Sequence, residues 1–131
     1  MKKSEVMFTV LDAPPLLECE YVDAVCVAVE TSKFRPFMQT KFVFWFEVFD
    51  PDKYAGTRLE MFARVDPRWK SPPRSSKLYR QVCIAVGRLK RGQKITKTMF
   101  TKKAFRCRLR TVGEGPSAYS VVDTISENLA G

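Results

Sequence analysis

The side chains of this chain with chemical potential are cations set among flat rings. Lys33, Phe34, Arg35 and Phe37 lie together in one short stretch. Arg58, Phe62 and Arg64 share one parity of a later segment, and Arg68, Trp69 and Lys70 sit in the sequence DPRWKSPPR, which ends at Arg74. Arg106, Arg108 and Arg110 alternate with apolar residues. A guanidinium is a planar fork that grips phosphate and also stacks on rings. Aromatic faces stack on unpaired bases whatever the base. Together the two residue types fit a polyanion that carries flat groups, which points to nucleic acid.

The charge is segregated. Residues 58–110 hold 17 of the 23 Lys and Arg residues and two acids, Glu60 and Asp66, for a formal charge of +15. Residues 1–57 and 111–131 each sum to −3. Such asymmetry along a chain implies a polyanionic partner.

Little in the sequence supports catalysis. There is no histidine, which removes the commonest general base and metal ligand. No P-loop, GxSxG or Gly-rich phosphate turn appears. A nuclease built on Asp50, Asp52, Glu60 or Asp66 is the enzymatic alternative, but Asp50 and Asp52 flank a proline and are better explained by turn chemistry. The expectation is a non-enzyme with no cofactor and no metal. Cys19, Cys26, Cys83 and Cys107 have no CxxC spacing, so they read as reduced thiols that pack as small hydrophobes. No secretory signal and no membrane-length apolar run is visible, so the expected setting is cytoplasmic, with no membrane partner.

The elements that must position these residues follow in order. Residues 1–16 form an N-terminal arm ending in Pro14-Pro15, with Val6, Phe8 and Val10 alternating. Residues 17–30 read as a long first strand, with Leu17, Cys19, Tyr21, Val25, Val27 and Val29 on one parity. A loop follows at 31–40, where Phe34 and Phe37 either face a ligand or cap the core. Residues 41–50 form strand two, apolar on both parities. Its Trp45 face is either a ligand platform or a subunit interface. Residues 57–65 form strand three. Trp69 in the next loop is a stacking platform or an anchor to the core. Ser75 or Ser76 caps a helix that runs to about Val86, where Gly87 stops it. Residues 98–102 suggest a helical turn. Strand four spans 103–112. Its three arginines recur at about 6–7 Å per two residues, near the phosphate repeat of an extended strand. They line a groove, pair with carboxylates or meet another subunit. Strand five spans 118–127, and 128–131 are a short tail.

Three strands, a helix and two strands give an all-β fold with one helix. This is the order of a five-stranded OB-fold-like Greek-key barrel, with the helix between strands three and four. The domain spans 17–127. Short motifs add a resemblance: S-S-K-L-Y at 75–79, T-K-K-A-F-R-C-R-L at 101–109 and A-Y-S-V-V-D-T-I at 118–125. The chain resembles small OB-fold proteins of phages and plasmids, similar to single-stranded-DNA-binding proteins. The resemblance implies a bacterial host cytoplasm and a role in replication or recombination. The chain lacks the Gly- or Pro-rich linker and acidic tip with which those proteins recruit partners. The expected function is binding of single-stranded nucleic acid, DNA first and RNA second, with little sequence specificity. The alternative is an assembly module for an acidic protein, and a homo-oligomer stays open.

Overall fold

The computed structural model describes residues 5–10, 13–34 and 39–130, with the backbone alone at 32–34 and 39–40. Five strands form one antiparallel sheet: β1 (Tyr21–Phe34), β2 (Gln39–Asp50), β3 (Arg58–Val65), β4 (Ala104–Val112) and β5 (Tyr119–Asn128). Their order is β3-β2-β1-β4-β5. One helix, α1 (Lys77–Val86), lies between β3 and β4 in the chain. The edge strands β3 and β5 touch, yet no ladder joins them among the described residues. The sheet therefore curls on itself and stays open along that seam.

Helix α1 packs against both edges. Its start follows from Ser76, whose hydroxyl accepts from the Tyr79 N–H at 3.2 Å and donates to the Pro73 carbonyl at 2.7 Å. Its end follows from Gly87, whose φ of +84° suits only glycine well. Leu78, Gln81, Val82 and Ala85 form its buried face, one stripe at helical spacing. Gln81 is buried because it completes an edge. Its Oε1 accepts from the Ile125 N–H at 2.6 Å, and its Nε2 donates to the Ile125 carbonyl at 3.4 Å. The Asn128 amide donates to the Ala85 carbonyl at 2.7 Å. Side chains thus satisfy backbone groups of β5 and of the last turn of α1, where each unpaired buried group would cost about 1–3 kcal/mol.

The core is aromatic at its centre. Phe44 meets Phe100 edge-on with ring centroids 4.8 Å apart, and Phe46 meets Phe105 at 6.3 Å. Cys26 and Cys107 are buried with them. Burial raises the Cys26 thiol to about 11 and pushes Cys107 up further still, so both stay protonated and act as small apolar groups.

Three expectations change. First, β1 starts at Tyr21 rather than Leu17. Leu17 is buried, but its N–H donates to the Ser120 hydroxyl at 2.8 Å, and the Ser120 N–H donates to the Pro15 carbonyl at 2.7 Å. This lead-in docks through Ser120 instead of joining the sheet. Second, the inward parity of β1 is Val22, Ala24 and Cys26, and then Val29. The register with β2 shifts between Cys26 and Ala28. One extra residue there reverses the faces and leaves Val27 outside. Third, pairing continues to Phe34 and Gln39, so the loop expected at 31–40 is shorter at both ends. The alternating Val6, Phe8 and Val10 form no strand and stand 80–90% exposed.

Candidate nucleic-acid interface

The basic residues occupy two surfaces with different surroundings. On the outer face of the sheet, alternation along β4 turns Arg106, Arg108 and Arg110 to the same exposed side. Each meets a carboxylate. Arg106 reaches Asp23 at 3.0 Å and Glu127 at 2.7 Å, Arg108 reaches Glu20 at 3.8 Å, and Arg110 reaches Asp123 at 3.3 Å. The hydrogen bond to Asp23, then the charges of Asp23 and Glu127, raise the Arg106 pKa. Register explains the matching. Tyr21 pairs with Arg108 and Asp23 with Arg106, so the acidic first third of the chain lies beside β4.

The β2–β3 part of that face is similar. Arg58 lies 3.6 Å from Glu47. The half-buried Trp45 donates its indole N–H to Glu30 at 3.3 Å. The Lys41 ammonium stands 4.2 Å over the Phe62 ring, a cation–π contact that covers one face of a predicted stacking residue. Arg64 is exposed at the end of β3. Arg35 and Phe37 lie outside the described residues, as do the side chains of Lys33 and Phe34.

The second surface is built by two irregular segments that flank α1. The first is the loop 66–74. Asp66 fixes its start: Oδ1 accepts from the Arg68 backbone N–H at 2.9 Å and from its Nε at 3.1 Å, and Oδ2 accepts from Nη2 at 2.8 Å. Those bonds, the side-chain one first, hold the Asp66 carboxyl down to about 2. The Trp69 N–H closes the turn onto the Asp66 carbonyl at 3.0 Å. Arg68 is thereby folded back, while half-buried Trp69 and exposed Lys70 follow it.

The second segment is 88–97. Lys90-Arg91-Gly92-Gln93 is a tight turn, closed by the Gln93 N–H on the Lys90 carbonyl at 3.0 Å. The Gln93 side chain accepts from the Lys90 N–H at 3.0 Å. Gly92, with φ of +81°, supplies the left-handed residue that such a turn needs. The turn presents Lys90 and Arg91, both exposed.

Two hollows lie between the two segments, and a third adjoins them at Ile95. One, of about 590 Å³, has Phe42, Val65, Trp69, Lys70, Leu78 and Ile95 in its walls. A second, of about 650 Å³, includes Arg74, Tyr79, Lys90 and Arg91. A third, of about 300 Å³, reaches into the core beside Phe44 and Phe100, with Lys97 in its wall. Ile95 lines all three. The result is a trough with an apolar floor, one tryptophan, and cations contributed by both segments.

Its electrostatics differ from those of the sheet face. Residues 66–97 hold ten Lys and Arg residues and one acid, a net +9 that equals the charge of the whole chain. Among the described residues only Arg68 of these ten lies within 4 Å of a carboxylate. Lys77, at the start of α1, is half-buried. Desolvation lowers its pKa, and the nearby Asp123 opposes that shift. Of the residues expected in a site, Trp69, Lys70 and Arg74 are brought together here, while Arg58 and the three β4 arginines have carboxylate neighbours elsewhere. Lys90, Arg91, Ile95 and Lys97 were missed by the sequence reading. A narrower charge window finds the three cations, because the Glu and Asp residues that balance β4 lie outside 66–97, whereas Ile95 carries no such signal.

Among the described residues no three Cys, Asp or Glu side chains gather so as to hold a metal ion, and no helix is long and apolar enough to cross a membrane. Neither a scan of protein-family models nor a search of curated proteins finds a match to this chain.

Proposed function

We propose that this protein binds single-stranded nucleic acid, DNA in the first instance, with little sequence specificity and no catalysis. One observation carries the reading: residues 66–97 sum to the net charge of the whole chain, and five of their cations, Lys70, Arg74, Lys90, Arg91 and Lys97, line adjoining hollows with apolar walls and Trp69 among them. A solvated charged surface has no use for an apolar floor. A purely apolar partner has no use for unmatched cations. A single strand offers phosphates for the rim and base faces for the floor.

The reading extends to the fold. The strand order, the touching edges of β3 and β5, and the helix between β3 and β4 support an OB-fold-like barrel with an open seam. Within it the β4 arginines act as architecture, fixing β1, β4 and β5 by ion pairs, and the loops on either side of α1 act as the binding surface.

Binding here is dominated by charge. Lys70, Arg74, Lys90, Arg91 and Lys97 line the trough, and each phosphate met releases counterions. If all five engage, log affinity falls against log salt with a slope of about −3.5. Titration of a fluorescent oligothymidylate at two salt concentrations tests this. Micromolar or tighter binding that weakens steeply with salt is expected. No binding at low salt, or capture of one acidic protein in preference to oligonucleotide, ends the proposal.

A further inference from the structure

Resting on that reading, we propose that the smallest of the three hollows is a pocket for one unstacked nucleobase, entered from the trough beside Lys97. Its walls are Val29, Phe42, Phe44, Leu78, Ile95 and Phe100, and its polar lining is limited to Thr96 and Lys97. The Thr96 hydroxyl is already engaged with that of Thr98 at 2.8 Å. The pocket therefore offers apolar surface to a ring and no fixed donor–acceptor pattern to read its edge. Its volume of about 300 Å³ lies at the lower end of small-molecule sites, the size for one planar ring system and not for a stack.

The position supplies the phosphates. Exposed Lys94 and Lys97 flank Ile95 and Thr96 in sequence, and neither has a carboxylate within 4 Å among the described residues. A base turned inward past Ile95 leaves its sugar–phosphate links beside these two ammonium groups.

This pocket gives the protein a reason to prefer single strands. In a duplex every base is stacked and paired, and turning one out costs a few kcal/mol. Cations alone attract duplex and single strand alike. Apolar depth rewards only a free base, and it rewards all bases similarly.

The test compares oligothymidylate with an abasic strand of equal length, which keeps the phosphates and lacks the rings. Wild-type protein, Ile95→Trp and Trp69→Ala are each titrated by fluorescence anisotropy at about 50 mM salt, low enough to favour phosphate contacts. Wild type should favour the base-bearing strand by about 30-fold or more, the scale of one base stacked on Trp69 and a second held in the pocket. Ile95→Trp fills the shared wall and should remove most of that ratio. Trp69→Ala should keep part of the ratio. A ratio untouched by Ile95→Trp, or one abolished by Trp69→Ala, overturns the pocket alone, whereas equal wild-type affinities overturn it together with base stacking on Trp69. Should Ile95→Trp not fold, the other two proteins still decide. If neither strand binds wild type, the nucleic-acid reading falls as well.

Discussion

The outer face of β4 and the turn at 90–93 both display arginine, and they do opposite things with it. Arg106, Arg108 and Arg110 point outward at regular intervals, yet Asp23, Glu127, Glu20 and Asp123 stand beside them. Arg91 is exposed with Lys90, and neither has a carboxylate within 4 Å among the described residues. The difference lies in topology. A strand in mid-sheet receives neighbours from distant parts of the chain, and here those neighbours are acidic. A turn at the surface receives none. A row of cations in a sequence is therefore no measure of the charge a ligand meets until the cross-strand partners are counted.

The contrast can be broken most decisively by charge reversal. Lys90→Glu, Arg91→Glu and Lys97→Glu together should weaken oligonucleotide binding by about 100-fold or more, since each takes a cation away from a phosphate and adds repulsion. Circular dichroism should show the fold intact, because these side chains are exposed.

Next in size is the contact that ties α1 to β5. Gln81→Leu leaves the Ile125 N–H and carbonyl without their side-chain partner, a loss of about 2–3 kcal/mol. Thermal unfolding should shift down by several degrees. Oligonucleotide binding should weaken too, because α1 supplies Leu78 to the trough.

Trp69→Ala sharpens the comparison from the other side. Loss of one stacking face should cost about 1–3 kcal/mol of single-strand binding and little stability, because Trp69 is only half-buried. Arg108→Gln should do less than either. Its ion pair with Glu20 is long and exposed, worth about 0–1 kcal/mol, and affinity should be unchanged within error.

The smallest effect concerns pH. Asp66 is held down to about 2 by Arg68, below its ordinary value. The pairing is therefore complete above about pH 4, the unfolded carboxyl range, and is lost as pH falls through about 2. An NMR titration of the Asp66 carboxyl should show that low midpoint, and Arg68→Gln should move it up.

Much of the fold was legible in the residues. Period-2 alternation located β3, β4 and β5 to within a few positions, the apolar run at 42–49 located β2, and the serines at 75–76 and Gly87 marked the ends of α1. The faces of β1 were not legible. The inserted residue near Val27 depends on pairing with β2, and nothing local announces it. The N-terminal lead-in was mistaken for strand because Leu17 is apolar, although its partner is the hydroxyl of Ser120, far along the chain. Of the candidate site, Trp69, Lys70 and Arg74 were legible because prolines and cations surround a tryptophan. The β4 arginines looked equally good, since their carboxylate neighbours are set by register. Ile95 was missed because one apolar residue in a basic segment has no periodicity, and its role appears only where three hollows meet.

The most direct test of unequal roles for the two basic surfaces is the salt dependence of oligothymidylate binding in three proteins. Wild type, Lys90→Gln/Arg91→Gln and Arg108→Gln/Arg110→Gln are titrated across a salt series. The account predicts that the first pair lowers the slope by about 1.4, or 0.7 for each phosphate no longer neutralised, and that the second pair leaves it unchanged. A slope lowered by the β4 pair and untouched by the turn pair would contradict it.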